Sequence, residues 1–259
     1  MKKIIIFTLL IVPFLTGQTL ESVVGGKHRS VKNKARDQYR NPIETLNFFG
    51  IKNDMTVVEL NPGGGWYQEI LAPFLKDNGK YVTATYDPDS KSEYRLNSYK
   101  AEMKRLKADK KLYGLPQVVS LSGDVYGDEG SADMVLSFRN YHNWAGNSEF
   151  EKLRAIYKTL KSGGIFGITD HRSDSVVDQK GYTCEPCMIR DAEAVGFVYV
   201  GSSQINANPK DTKDYPGGVW NLPPTLRERG LKKSEVKKMQ GIYKEIGESD
   251  RYTLKFMKP

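Results

Sequence analysis

Short apolar runs alternate with stretches in which apolar residues recur every three or four positions. Met55–Leu60, Tyr81–Tyr86, Val118–Leu121, Asp133–Phe138, Ile165–Thr169 and Phe197–Val200 read as strands of a buried parallel sheet. Helices fit between them. Asn41-Pro42 opens one that carries Ile43, Leu46 and Phe49 and ends at Gly50. A second runs from about Trp66 to Leu75 and bends at Pro73, and a long third aligns Leu96, Tyr99, Met103 and Leu106. Ser148 and Glu151 form a capping box for a fourth, with Phe150, Leu153, Tyr157 and Leu160 as its inner face and Gly163-Gly164 as its stop. A fifth lies near Cys187–Val195. Tyr252, Leu254 and Phe256 alternate with polar residues and give a seventh strand. The pattern predicts an α/β fold: a seven-stranded, mostly parallel sheet with helices on both faces.

Two segments depart from this rhythm. Lys2 and Lys3 precede an apolar run from Ile4 to Leu15, with small and polar residues after it. That is the form of an export signal, too short for an ordinary span of about 20 residues. The expected division is a signal peptide over 1–18 and one domain over 19–259, exported to a periplasmic or extracellular space, with no membrane span once the signal is gone. The second departure is residues 206–250, an insertion before the last strand. It contains Trp220, Pro223, Pro224 and a helix with Val236, Met239, Tyr243 and Ile246 on one stripe. So long a segment reads as a lid or a separately packed insertion.

Charge adds little. The net charge is +8, and loss of Lys2 and Lys3 leaves +6. The lysines at 100, 104, 107, 110 and 111 read as a solvated helix face, so no nucleic-acid partner is expected. Cys184 and Cys187 are the only cysteines. A local disulfide at a helix start and a redox pair both fit Cys-Glu-Pro-Cys. Zinc would need two further ligands, and no metal site is expected.

In parallel sheets ligands bind beyond the carboxyl ends of the strands. Glu59 stands there, followed by the turn Asn61-Pro62-Gly63-Gly64-Gly65. Glycines let a backbone approach a ligand, and the next helix start offers free N–H groups. A dinucleotide fingerprint fails, because Gln68 stands where its third glycine belongs. Asp87 and Asp124 follow the next two strands. Such acids either bind a ligand or cap helices. Asn140-Tyr141-His142-Asn143-Trp144 follows the fourth strand and Asp170-His171-Arg172 the fifth. His142 suits a base, with Asn140 and Tyr141 beside it, or packs with Trp144 under the next helix.

The segment Glu59-Leu60-Asn61-Pro62-Gly63-Gly64-Gly65 resembles the first motif of class I methyltransferases, with Asn61 in place of the usual first glycine. Leu160-Lys161-Ser162-Gly163-Gly164 resembles a later motif, with Ser162 replacing proline. The resemblance covers about residues 41 to 201 and the last strand. It implies a Rossmann-like fold and S-adenosyl-L-methionine as cofactor, held by Glu59, Asn61, Gly63, Gly65, Asp87 and Asp124. Asp87 would meet the ribose and Asp124 the adenine amine. A small-molecule acceptor would lie near His142, with Trp144, His171, Arg172 and Trp220 lining its site. Pro62–Tyr67 and Asn140–Trp144 are also similar to segments of exported bacterial predicted methyltransferases. A non-catalytic exported binding protein and an exported thiol–disulfide protein are the competing readings.

Overall fold

The computed structural model describes residues 18–176 and 179–259; the expected export signal falls on residues outside them. Four short helices come first: α1 (Leu20–Val24), α2 (Val31–Lys34), α3 (Asp37–Arg40) and α4 (Pro42–Phe49). Then β1 (Thr56–Leu60), α5 (Gln68–Leu75), β2 (Lys80–Thr85), α6 (Glu93–Ala108), α7 (Lys110–Tyr113) and β3 (Gln117–Ser120) build one half. The other half holds β4 (Ala132–Phe138), α8 (Glu149–Thr159), β5 (Leu160–His171), α9 (Glu185–Val195), β6 (Val198–Ser203), α10 (Val236–Ile246) and β7 (Arg251–Met257). The sheet order is β3-β2-β1-β4-β5-β7-β6, with β7 antiparallel to both neighbours and the other pairs parallel. The order reverses direction between β1 and β4, so the crevice for a ligand lies at their carboxyl ends.

Alternation along each strand divides the core. Val58, Leu60 and Val135 face α8 and α9, packed with Leu153, Ile156, Met188 and Ala192. Val57, Met134 and Leu136 face the other helices, with Leu46, Phe49, Ile70 and Leu71. Gly167 sits mid-strand in β5 because a Cβ there would lie 2.8 Å from Phe49 and Leu136. Helices therefore cover both faces, as the strand–helix alternation predicts.

Two local expectations change. The fourth predicted helix ends at Thr159, not at Gly163-Gly164. Leu160 takes extended backbone and pairs with Ala132, and Gly163 and Gly164 bond to Lys258 beyond β7. Sheet pairing thus wins over the glycine stop. The Ser148 side chain makes no capping bond, and Phe150 is exposed rather than inward.

The segment between β6 and β7 has its own small apolar cluster of Tyr215, Leu222 and Tyr243, with Met239 and Ile246 against it. It is also tied to the sheet. Asp211 accepts hydrogen bonds from the Tyr182 hydroxyl at 2.9 Å and the Asp250 amide at 2.7 Å. Among the described residues no helix is long and apolar enough to cross a membrane.

Candidate active site at the strand ends

The residues just after β1 and β4 face each other across the crevice. Both take left-handed backbone, Asn61 at φ 45° and Arg139 at φ 60°. A bulky residue such as arginine rarely adopts this conformation, and such strain clusters at functional sites. The Asn61 amide donates to Asn140 Oδ1 at 2.9 Å, and Asn140 donates to the Leu60 carbonyl at 2.8 Å. These bonds fix the glycine turn to the segment that carries His142. Gly63 and Gly65 also have positive φ, and a Cβ on Gly64 would meet nothing within 4 Å.

Below the turn lies an acidic network. Glu59 is fully buried and accepts from the Tyr81 hydroxyl at 2.6 Å. Burial, with a further push from Glu102, lifts its carboxyl to about 8 despite that bond. Thr83 donates to Glu102 at 2.5 Å. Arg105 crosses Gly65, donating to Gln68 at 2.7 Å and to the Gly63 carbonyl at 3.1 Å. At the end of β2, Asp87 accepts from the Ser122 hydroxyl at 2.8 Å. Hydrogen bonds from Ser120 and Ser122 hold it below the usual aspartate range. Asp124 points outward and pairs with Lys158 at 3.0 Å, its side chain 83 % exposed.

Across the crevice, Asp170 is buried at the end of β5. It accepts from His142 Nδ1 at 2.9 Å and from the His171 amide at 2.7 Å. The bond engages Nδ1 and leaves Nε2 as the other nitrogen of the His142 ring. His171 packs 5.0 Å from the His142 ring and bonds through Nδ1 to Ser249. Burial and then the Arg139 cation push His171 far below its ordinary value, so it is neutral and accepts from Arg139 Nε at 3.4 Å. Trp220 reaches within 6.3 Å of His142 from the insertion. Tyr141 and Trp144 pack edge to face in the core, 5.1 Å apart. Arg172 pairs with Glu185 at 2.9 Å.

The ligand atoms of His142, Asp170 and His171 lie within 4.8 Å of one another, a set that suits a transition metal by type. Three of their four ring nitrogens are engaged, by Asp170, Ser249 and Arg139, and the adjoining guanidinium disfavours a cation beside His171. The three side chains are linked to their neighbours by hydrogen bonds.

The structure thus gathers Asn61, Asn140, His142, His171 and Trp220 at one crevice, with Glu59, Gly63, Gly65 and Asp87 along its β1–β2 side. Asp124, Arg172 and Trp144 are turned to other partners. Sequence reasoning overlooked Arg139, Ser249 and Arg105. Arg139 had a signal: a cation directly after an apolar strand.

Cys184 and Cys187 are joined in a disulfide at the start of α9, with Cys184 buried. It stiffens the segment whose Thr183 amide and hydroxyl donate to the His171 carbonyl at 2.8 and 3.1 Å.

This sheet order, with its antiparallel β7 and the crevice between β1 and β4, is the Rossmann-like fold of class I methyltransferases. Solved structures agree. The chain is similar to a SAM-dependent methyltransferase from Aquifex aeolicus, at 15 % identity and TM-score 0.56, covering 87 % of this chain and 93 % of that one. It is similar to geranyl diphosphate C-methyltransferase from Streptomyces coelicolor A3(2), at 12 % identity and TM-score 0.55, covering 92 % and 88 %. The [4+2]-cyclase SpnF also matches, at 15 % identity and TM-score 0.55, covering 90 % and 84 %. At these identities the likeness is one of fold, and the cyclase shows that the fold hosts other chemistry. No protein-family model and no curated protein sequence matches the chain.

Proposed function

We propose that this chain transfers a methyl group from S-adenosylmethionine to a small-molecule acceptor. One observation carries the reading: the glycine turn after Glu59, beside Asp87, is bonded through Asn61 and Asn140 to the segment that presents His142. The donor set suits the cofactor's chemistry. Asp87 is an ionised acceptor for ribose hydroxyls, and Gly63–Gly65 leave the turn's backbone open. Buried Glu59 gains from a nearby positive charge, because its own burial disfavours the carboxylate. Asp124, turned outward to Lys158, belongs less clearly to this set than Asp87.

The cofactor, when bound, supplies an electrophilic methyl carbon on a sulfonium. The chain's part is alignment and proton handling. Alignment in a near-attack geometry is worth up to about 7–11 kcal/mol. Glu59, Gly63, Gly65 and Asp87 would hold the cofactor, and His142 Nε2 would take the acceptor's proton as the acceptor receives the methyl group the cofactor would supply. Asp170 holds His142 in the required tautomer and stabilises the resulting imidazolium. Residues 206–250 act as a lid, bringing Trp220 and Ser249 to the histidines.

Export belongs to the same reading, together with the closer kinship to exported bacterial methyltransferases. The basic and apolar leader motivates it, and the Cys184–Cys187 disulfide suits an oxidising compartment.

The test is methyl transfer from labelled S-adenosylmethionine into a metabolite extract, with wild type and His142→Asn. Label should enter an extractable small molecule with wild type and fall at least a hundredfold with the variant. Equal labelling by both would remove His142 from the mechanism. Cofactor binding without any labelling would favour a binding protein on this fold.

A further inference from the structure

Leu96, Tyr99, Met103 and Leu106 have the spacing of a core-facing stripe on α6. The structure does not bury that stripe. The buried residues of α6 are Glu102 and Leu106. Glu102 turns inward because Thr83 and Gln68 donate to it, at 2.5 and 3.3 Å. With Glu102 inward, the helical repeat carries Leu96, Tyr99 and Met103 onto the flank of the helix. All three stay partly exposed there.

A row of cations runs beside these apolar side chains. Lys100, Lys104 and Lys107 follow one another at spacings of four and three residues, and all are exposed. With Tyr99, Met103 and Ala108 they line a shallow, open groove. Lys110 and Lys111 add two exposed cations on α7, and Leu115 just past it is 89 % exposed. From Lys100 to Lys111 the acids are Glu102, which is buried, and Asp109, which caps α7 through the Leu112 amide at 2.8 Å. None of the five lysines forms an ion pair among the described residues. Their charge is therefore uncompensated within the chain, next to apolar surface that the chain leaves half covered.

We infer that this flank of α6 and α7 docks on the surface of an anionic lipid bilayer. Lysine stems lie along apolar surface while their ammonium groups reach anionic headgroups, and Tyr99, Met103 and Leu115 meet the acyl boundary. The composition favours a bilayer over a macromolecule. Protein interfaces are depleted in lysine. Nucleic-acid surfaces draw on guanidinium forks and on aromatic faces free to stack bases, whereas this row is lysine and Tyr99 is partly covered. A shallow, open groove also suits a flat surface better than an inserted helix. The inference does not rest on the methyltransferase reading.

The test is co-sedimentation with vesicles of phosphatidylcholine, alone or with one-third phosphatidylglycerol. It uses the full chain and, to remove the basic leader's own affinity, residues 19–259, which hold every helix and strand. Both forms should bind the anionic vesicles at least tenfold more tightly than the neutral ones, and added salt should weaken that preference. The triple variant Lys100→Glu, Lys104→Glu, Lys107→Glu should abolish the preference of residues 19–259. The variant Lys232→Glu, Lys233→Glu, Lys237→Glu makes the same charge change at exposed positions of the insertion and should keep most of it. If the α6 glutamate variant does not fold, the matching glutamine variant decides, with an expected loss of at least fivefold. No preference for anionic vesicles in residues 19–259, or equal loss in the α6 and insertion variants, overturns the site. So does binding of a single-stranded oligonucleotide that the α6 variant loses while it keeps its vesicle binding, which would assign the row to nucleic acid.

Discussion

Two buried glutamates sit on opposite sides of one crevice and carry opposite charge logic. Glu59, at the end of β1, lies among Tyr81 and Glu102, and burial raises it to about 8. Glu248, from the insertion, lies among Arg36, Arg40, Arg139 and Arg251, which hold it far below the ordinary glutamate range despite its burial. One side of the crevice is short of positive charge and the other has it in excess. The crevice is electrostatically polarised, and under the proposed function the cofactor's sulfonium would meet its first side.

The largest effect that breaks this comparison is chemical unfolding of Glu248→Ala. Three arginines lose their carboxylate, and removing one partner of a buried ion pair costs about 3–5 kcal/mol. Glu59→Gln should do the opposite. Its folded value lies above its unfolded one, so the native state holds the extra proton. The stability that this proton gives is complete below about 4.5 and is lost as pH rises toward about 8. The variant should remove that decline, gaining on the order of a few kcal/mol over wild type at pH 8.5. Glu248 has the reverse sign: its contribution is complete above the ordinary glutamate range and is lost as pH falls through its lowered folded value. Urea midpoints against wild type should show the Glu59→Gln difference growing from about pH 4.5 to 8, and the Glu248→Ala difference shrinking only as pH falls below about 4.5. A shared slope would remove the polarised crevice. The smallest effect is that of Ser148→Ala, within about 0.5 kcal/mol, because the serine makes no cap bond; a working cap is worth about 1 kcal/mol.

The same division explains what could be read from the chain. The β1–β2 side depends on residues that directly follow their strands, Glu59 to Gly65 and then Asp87, so local pattern and one family resemblance were enough to find them. The fold was legible for a similar reason: each strand is a short apolar run with a helical stripe after it. The arginine side draws on α3, β4, β7 and the insertion, so Arg40, Arg139, Glu248 and Arg251 meet only through tertiary structure. Asp124 shows the limit of position alone. It stands where the family places an acid, yet Lys158 lies close enough to turn it outward. Gly163-Gly164 shows the limit of local propensity, since pairing with Ala132 and Lys258 carried the chain on as a strand.

The central claim is that the turn after β1 and the acid after β2 together bind S-adenosylmethionine. Calorimetric titration of wild type and Asp87→Ala with S-adenosylmethionine tests it most directly. The account predicts saturable one-to-one binding by wild type. The variant should bind about 10- to 100-fold more weakly, as expected for loss of a charged hydrogen-bond partner worth about 1.5–3 kcal/mol. No saturable binding by wild type, or equal affinity in Asp87→Ala, would contradict it.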